Sequence, residues 1–330
     1  MRSPDAKCAA MAANDLEISV RGKWIKVPAL DIDGKTVVLT GRWIKMAAIH
    51  DGEWLESELE DPEGCICRLK ECESHGVRAD IFTFAQKLPA TRPKYPYPFE
   101  WDNVAAIRLP SFKDWWERLP HETRKNVRRS ARRGVVVRIQ QLDDALIRGI
   151  VEINNESLIR QNKPFAHYGK NYDEVKKDYL SFTDRSDFIC AYLGDELIGF
   201  MKIVYGAKVA AIMQLLSKTI HYDKRPSNVL IAKAVECCEQ KGISYLTYGK
   251  YSYGNKANSS LTEFKMRNGF EEIFVPRFYI PLTPKGKICM TLKLHRGLVG
   301  ILPECAIRFG VNVRAKWYKL NLSASRCSSM

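Results

Sequence analysis

The segment from residue 188 to residue 217, FICAYLGDELIGFMKIVYGAKVAAIMQLLS, is rich in apolar and β-branched residues and contains two short turn sequences. Gly194-Asp195 and Gly206-Ala207 divide it into three runs of strand length, a pattern typical of an antiparallel meander. A helix is expected directly afterwards, from Pro226 to Gln240, because proline suits a first helical turn and Gly242 follows the end. A meander followed by a long helix indicates an α/β fold.

The residues around this block continue the alternation of strands and helices. Downstream, the pattern predicts a strand over 243–249, a short helix over 259–269 and a final strand over 274–282. Upstream, it predicts helices beginning near Asp114 and over 121–133, a strand over 135–139, and helices over 142–161 and 172–182.

The amino-terminal third has its own strands. Residues 16–60 predict two or three strands with turns at Asp33-Gly34 and Asp51-Gly52, followed by a helix over 61–76 and a strand over 78–88. Residues 89–101 contain four prolines and are expected to form an extended connector. This connector is the best candidate boundary, so we predict an N-terminal unit over 1–110, a second domain over 111–283 and a basic tail over 284–330.

Charge is concentrated in two places. The chain has 330 residues and a formal net charge of +14. Residues 121–138 hold seven Lys or Arg and one Glu, and residues 284–330 hold nine Lys or Arg and one Glu. A protein that coats a long duplex spreads its basic charge over a face, whereas here the charge lies in one helix and one tail.

The helix over 121–133 places all its basic residues on one half of its circumference, namely Arg124, Lys125, Arg128, Arg129, Arg132 and Arg133. The other half, with Thr123, Asn126, Val127, Ser130 and Ala131, is expected to pack on the protein. Arginine forms planar bidentate contacts with phosphate, so we predict a phosphate-binding face. A solvated face paired with acidic loops is the alternative. Aromatic residues do not interleave with these arginines, which argues against reading of single-stranded nucleic acid.

The cysteines indicate a reducing, cytoplasmic setting. Ten are present, without a paired Cys-x-x-Cys framework or histidines at zinc-finger spacing. Cys65, Cys67 and Cys72 lie close in sequence, but a fourth ligand is missing, so we expect no metal. No stretch of about 18 apolar residues suggests a membrane span. The apolar run Leu298 to Cys305 has basic flanks, which leaves peripheral contact with an anionic membrane open.

Four stretches, taken in order, resemble the FemAB-like, acetyltransferase-like branch of the GNAT acyltransferase superfamily over residues 112–283. They are LPHETRKNVRRSARRGVVVR (119–138), SLIRQNKPFAHYGKNYDEVKKDY (157–179), YLGDELIGFM (192–201) and YLTYGKYSYG with SSLTEFKMRNGFEE (245–254 and 259–272). The resemblance implies a GNAT-like mixed sheet flanked by helices. A degenerate first GNAT-like unit is the natural interpretation of residues 1–110, which would make two such units in all.

The resemblance implies transfer of an acyl or aminoacyl group to an amine. The donor would be an acyl thioester such as acyl-coenzyme A, or an aminoacyl-tRNA, and the acceptor a phosphate-bearing, sugar or cell-envelope compound. GNAT enzymes place a glycine-rich turn before the helix that holds the donor pyrophosphate. Here that turn reads HYDKRPSNVL without glycine, although the side chains of Lys224, Arg225, Ser227 and Asn228 supply charge and hydrogen-bond donors.

Acylation of an amine needs an oxyanion stabilised and a proton removed. In the family-like strand end TYGKY, Lys250 is the candidate for stabilising the oxyanion, with a solvated loop position as the alternative. Tyr251 or Tyr248 could pass a proton, and Glu263 could act as a base. Lys265, in a Phe-Lys pair, is a candidate substrate-binding residue, with a surface position as the alternative.

Two rival functions stay open. The protein could be a nucleic-acid-binding module that uses the helix over 121–133, or a GNAT-like shell that binds a partner without chemistry. His167 and His221 are expected to be structural, and no Ser-His-Asp arrangement, Walker loop or HExxH motif occurs.

Overall fold

A computed structural model of the chain describes residues 14–20, 22–54, 58–75, 77–160, 163–253 and 259–297. The strands are β1 Asn14–Val20, β2 Lys23–Ile32, β3 Lys35–Thr40, β4 Met46–Ile49, β5 Ile81–Ala85, β6 Phe99–Arg108, β7 Val135–Gln140, β8 Ile159–Arg160, β9 Lys163–Pro164, β10 Ser186–Leu193, β11 Glu196–Tyr205, β12 Val209–Ser217, β13 Tyr245–Lys250 and β14 Glu271–Pro281. The helices are α1 Pro62–Glu71, α2 Phe112–Arg118, α3 His121–Arg132, α4 Asp144–Asn155, α5 Tyr172–Tyr179, α6 Pro226–Gln240, α7 Ser260–Arg267 and α8 Pro284–Thr291.

One mixed sheet of 12 strands runs through the molecule in the order β1-β2-β3-β4-β5-β14-β6-β13-β12-β11-β10-β7. Its neighbours are antiparallel except at β4–β5 and β12–β13, which are parallel. Each parallel pair is joined through a helix, α1 in the first case and α6 in the second. The chain therefore contains two repeats of a meander, a helix and a parallel strand. The first repeat consists of β1–β4, α1 and β5, and the second runs from α2 to β13, with the meander β10–β12, the helix α6 and the parallel strand β13. The expected mixed sheet flanked by helices is confirmed.

Paired strands join the two repeats into one sheet. β14, the last strand, pairs antiparallel with β5 on one side and with β6 on the other. β6 in turn pairs with β13. The sheet is continuous across residue 110, and the division of the chain at that residue stays a prediction.

Helices cover both faces of the sheet. On one face, α6 packs with Trp115 of α2 against Ile107, Ile212 and Leu246 of three neighbouring strands. α1 covers the first repeat on this face. On the opposite face, α4 and α5 cover apolar side chains of β10 and β11, among them Phe188, Cys190 and Phe200.

The sheet curves so that its first hairpin reaches the second repeat. The indole Nε1 of Trp24 on β2 donates a hydrogen bond of 3.1 Å to Asp178 on α5. The ammonium of Lys177 lies 2.6 Å from the carboxylate of Glu17 on β1 and over the Trp24 ring. A further link is the hydrogen bond of 3.1 Å from the Arg185 guanidinium to the carbonyl of Trp54. These contacts enclose the α4/α5 face of the sheet between the two repeats.

Several sequence expectations differ from the structure. Four strands, β1 to β4, occupy the region where two or three were expected. The extended connector was expected to reach Trp101, but β6 begins at Phe99, because the prolines end at residue 98 and the alternating pattern of a strand follows. The helix expected over 142–161 ends at Asn155, and the β8–β9 hairpin follows it. Ala131, expected on the packed side of α3, is exposed.

Candidate active site

The parallel strands β12 and β13 separate soon after they meet. Val209, Ala210 and Ala211 pair with Tyr245, Leu246 and Thr247, and no pairing between the two strands follows. β12 continues to Ser217 and β13 to Lys250, so their carboxyl-terminal halves diverge beside the start of α6. This divergence leaves backbone groups of both strands free to hydrogen-bond a ligand.

The first repeat has the same geometry. β4 and β5 pair at three positions, from Met46 with Ile81 to Ala48 with Thr83, and then separate. A pocket of about 390 Å³ lies between the two divergent pairs, on the α4/α5 face of the sheet. Its walls come from β4, β5, β6, β12, β13, β14 and the loop after β4. The volume is within the range of small-molecule sites.

A charge network occupies one wall of the pocket. The Asp102 carboxylate lies 3.0 Å from the ammonium of Lys250 and 2.5 Å from the guanidinium of Arg277. Burial alone would raise the pKa of Asp102, but the two cations together lower it below its ordinary value. The Lys250 side chain is 52% exposed, so its ammonium keeps donor directions that face the pocket solvent.

The loop after β4 places two more carboxylates at the pocket. Glu53 lines the pocket and has an exposed side chain, and partial desolvation followed by repulsion from Asp51 raises its pKa. Asp51 lies 3.3 Å from the His50 ring. Lys87, on the same side, donates to the carbonyl of Gly52, and burial lowers its pKa to about 8.

Lys265 on α7 is fully buried, so the alternative of a surface position is wrong. Its ammonium donates a hydrogen bond of 2.6 Å to the backbone carbonyl of Lys250 and lies over the rings of Tyr248 and Tyr253. Burial lowers the pKa of Lys265 to about 8. A buried cation balanced by rings and one carbonyl is expensive for the fold, which points to a functional reason for keeping it.

Three other candidates occupy different surroundings. Tyr248 packs in the core beside Phe270, and burial raises its pKa. Tyr251 is partly buried, and its backbone N–H bonds the carbonyl of Asn103. Glu263 is exposed on α7 and lies 2.5 Å from Arg267, outside the lining of the pocket. Their predicted roles in proton transfer stay predictions.

The start of α6 adjoins the divergence of β12 and β13. Arg225 precedes the helix in a left-handed conformation with φ +59°, at a turn where the glycine-rich pattern would place glycine. The Ser227 hydroxyl bonds that of Ser217 on β12 (2.8 Å), and the Asn228 amide bonds Asn268 (2.9 Å). Lys224 lies 3.1 Å from Asp223. Side chains at this turn are thus largely bonded within the protein, whereas the side chain of Arg225 is exposed.

The basic helix α3 packs against α6, and its end approaches the start of that helix. The Arg133 guanidinium lies 3.3 Å from the Asp223 carboxylate just before α6. Lys125 lies 3.7 Å from Glu122. Arg128 lies over the ring of Trp116. The remaining cations, Arg124, Arg129 and Arg132, have no ion pair or side-chain hydrogen bond within the described part of the chain.

The histidines and cysteines noted in the sequence have the following contacts in the structure. His221 lies 3.1 Å from Glu196, and His167 packs against Phe165. Cys65 is buried and Cys67 is exposed, and the described residues contain no group of three or more potential ligands arranged for a metal ion. No described helix has the length and apolarity of a membrane span. The run Leu298 to Cys305 and most of the basic tail lie outside the described residues.

Sequence reasoning did not find the pocket residues Glu53, Lys87, Asp102 and Arg277. They come from four separate elements, and none belongs to a motif of fixed spacing. The turn at Asp51-Gly52 was identified, but no local signal shows that the next residue enters a pocket shared by two repeats.

No protein-family model and no curated protein sequence matches this chain. Solved structures do match. The C-terminal domain of a putative lysylphosphatidylglycerol synthetase from Agrobacterium fabrum is 12% identical, with 81% of this chain and 88% of that chain covered and a TM-score of 0.52. FemX is 9% identical, with 86% and 90% covered and a TM-score of 0.52. The structure of L-PGS from Bacillus licheniformis is 14% identical, with 81% and 87% covered and a TM-score of 0.50.

These likenesses extend over most of every chain compared, so they concern both repeats and not one of them. At such identities they establish the fold alone. The chain therefore has the fold of the GNAT-type, FemAB-like acyltransferases.

Proposed function

We propose that the protein transfers an acyl or aminoacyl group from an activated donor to an amine. The observation that carries this proposal is the separation of β12 from β13 after three paired residues, directly beside the start of α6 and next to a pocket that contains Lys250. A slot with free backbone groups suits the extended arm of a donor, and the adjoining pocket suits an acceptor.

The donor side is defined by positive charge. The positive end of the α6 dipole and the exposed side chain of Arg225 favour an anion there. The end of α3 adds further arginines next to this point. We infer a phosphate-bearing donor, either an acyl thioester of coenzyme A or an aminoacyl-tRNA. One similar structure is named a lysylphosphatidylglycerol synthetase, which supports an aminoacyl donor.

The chemistry assigned to this chain is modest because the donor is already activated. The half-exposed ammonium of Lys250 would stabilise the oxyanion that forms on the donor carbonyl. Lys265 would hold the strand end that carries Lys250. Tyr251, which lies outside the pocket lining, is the candidate for passing on the amine proton, since Tyr248 is the more deeply buried of the two. The free thiols suit a cytoplasmic setting, and peripheral contact with an anionic membrane is compatible with the basic tail.

The test begins with donors. A thermal-shift screen with acyl-coenzyme A esters, aminoacyl-tRNA and nucleotide sugars identifies the ligand, because a ligand at 100 times its Kd adds about 2.7 kcal/mol of apparent stability. Transfer to a panel of amines is then measured by mass spectrometry. Lys250→Ala is expected to lower kcat by about 100-fold or more, whereas Lys113→Ala, an exposed control on α2, leaves it unchanged. Equal turnover in wild type and Lys250→Ala, with Tyr251→Phe also active, would refute the assignment.

A further inference from the structure

Glu53 is the lining carboxylate of the pocket that lacks a partner. Within the described residues, the other three acids are engaged: Asp51 with His50, Glu58 with Lys94 at 3.0 Å, and Asp102 with two cations. Glu53 makes no ion pair and accepts no hydrogen bond there, although it is accessible to the pocket interior. An unpaired carboxylate that lines a pocket favours a cationic ligand.

The cations of the pocket already have partners within the protein, and the half-exposed Lys250 keeps further donor directions beside its bond to Asp102. Lys250 and Arg277 share the carboxylate of Asp102, and Lys87 is bonded to the carbonyl of Gly52. Burial and repulsion from Arg277 also lower the pKa of Lys87 to about 8, which weakens it as a phosphate ligand. A phosphate or carboxylate in the pocket would meet cations that are already paired, whereas an ammonium would meet the unpaired carboxylate of Glu53.

The remaining walls are largely apolar. Ile49, Trp54, Phe84, Leu88 and Val275 line the pocket around the charged groups. A volume of about 390 Å³ accommodates a compact aromatic or aliphatic body with an amino group. The same volume is small for a nucleotide-linked sugar.

We propose that the pocket binds the acceptor as a primary ammonium on a small apolar body, with Glu53 as the ion-pair partner of the ammonium. This inference rests on the proposed function for the identity of its ligand as an acceptor. It replaces the phosphate-bearing acceptor expected from the sequence with a cationic one at this site, and it leaves phosphate recognition to the donor side at α3 and α6.

Binding without any donor tests the proposal. Benzylamine and its neutral analogue benzyl alcohol are titrated into the full-length protein by calorimetry and by NMR. Wild type is expected to bind benzylamine at least tenfold more tightly than benzyl alcohol. Glu53→Gln is expected to remove this preference while keeping the melting temperature. Glu60→Gln, an exposed acid of the same loop that does not line the pocket, is expected to retain it.

The pH dependence supplies a second readout that does not need a variant. The charges that face Glu53 are Asp51, Lys87, Arg277 and Lys250, and burial with Asp51 raises the pKa of Glu53. Benzylamine affinity of wild type should therefore weaken as pH falls through a value above the ordinary glutamate range, and that of Glu53→Gln should not change in this way. Equal binding of both probes, binding of neither, or an unchanged preference in Glu53→Gln overturns the proposal. Because no donor is present, absence of acyl transfer would refute the proposed function and leave this result standing.

Discussion

The buried ammonium of Lys265 donates a hydrogen bond of 2.6 Å to the backbone carbonyl of Lys250, the residue at the end of β13. Lys265 thus fixes the end of β13 through this hydrogen bond, while Lys250 presents its ammonium to the pocket. Gly249, between the paired part of β13 and Lys250, has φ +56°, and a Cβ there would lie 2.6 Å from the hydroxyl of Tyr253. The close approach of Tyr253, Gly249, Lys250 and Lys265 defines the end of the site that we propose is catalytic.

Lys265→Met is expected to lower kcat at least tenfold while leaving the free energy of unfolding unchanged or higher. The reason is that a cation without a carboxylate partner is costly to bury, so an apolar side chain of similar length fits the core, but the Lys250 carbonyl is no longer held. Lys202→Met is the matched control, since Lys202 is equally buried but bonds Tyr179 and Ser181. It should keep kcat, since the hydrogen bonds of Lys202 go to Tyr179 and Ser181 and not to the strand end that carries Lys250. Equal kcat in wild type and Lys265→Met would contradict this role.

Titration of Lys265 is expected to add to the free energy of unfolding between about pH 8 and pH 10. The pKa of Lys265 in the folded protein, about 8, lies below its ordinary value, so the unfolded chain binds more protons in this window. The penalty is complete below pH 8 and is relieved as pH rises, by roughly 1–2 kcal/mol for the residue. Urea titrations at pH 7.5, 8.5 and 9.5 should show that the free energy of unfolding of wild type increases relative to that of Lys265→Met as the pH rises. An identical pH dependence in the two proteins would show that Lys265 does not titrate in this window.

Arg128→Ala combined with Arg132→Ala is expected to raise the Kd for the phosphate-bearing donor at least several-fold and to reduce its salt dependence. These arginines have no acidic partners within the described residues, so they are available to phosphate. Arg68→Ala with Arg78→Ala, which removes ion-paired arginines of the first repeat, is the control. A steep loss of affinity for any duplex with salt, insensitive to donor chemistry, would favour the nucleic-acid-binding alternative.

Arg225→Gly is expected to stabilise the protein by up to about 1 kcal/mol and to raise the KM for the donor. The left-handed backbone at Arg225 is strained for any residue with a Cβ, and the guanidinium is the part that a donor phosphate would use. Lys293→Gly relieves a similar φ of +56° beyond α8 and should stabilise without changing KM. An unchanged KM in Arg225→Gly would remove Arg225 from the donor site.

Local patterns predicted the parts of this fold that local chemistry specifies. α6 begins at Pro226 and ends at Gln240, as expected from its proline and the following glycine, and the meander turns at Gly194-Asp195. β6 was missed because the preceding prolines extended the expected connector into it. The placement of β14 between β5 and β6 could not be predicted either, since it depends on pairing between strands about 170–190 residues apart.

The residues of the candidate site were likewise predicted only where local sequence indicates them. Lys250 and the arginines of α3 were found because they stand in charged or family-like stretches. Burial of Lys265 was not predicted, because one lysine in a short polar helix has the pattern of a solvated position. Glu53 and Asp102 acquire their surroundings from strands of both repeats, and no window of sequence contains that information.

The central claim is that the donor lies in the slot between β12 and β13. Hydrogen–deuterium exchange of the full-length protein with and without the identified donor measures this at the backbone. The account predicts slower exchange on donor binding at residues 212–217, 226–230 and 248–251, where the strands diverge and α6 begins. Protection confined to other parts of the chain, with these three segments unchanged by a bound donor, would contradict it.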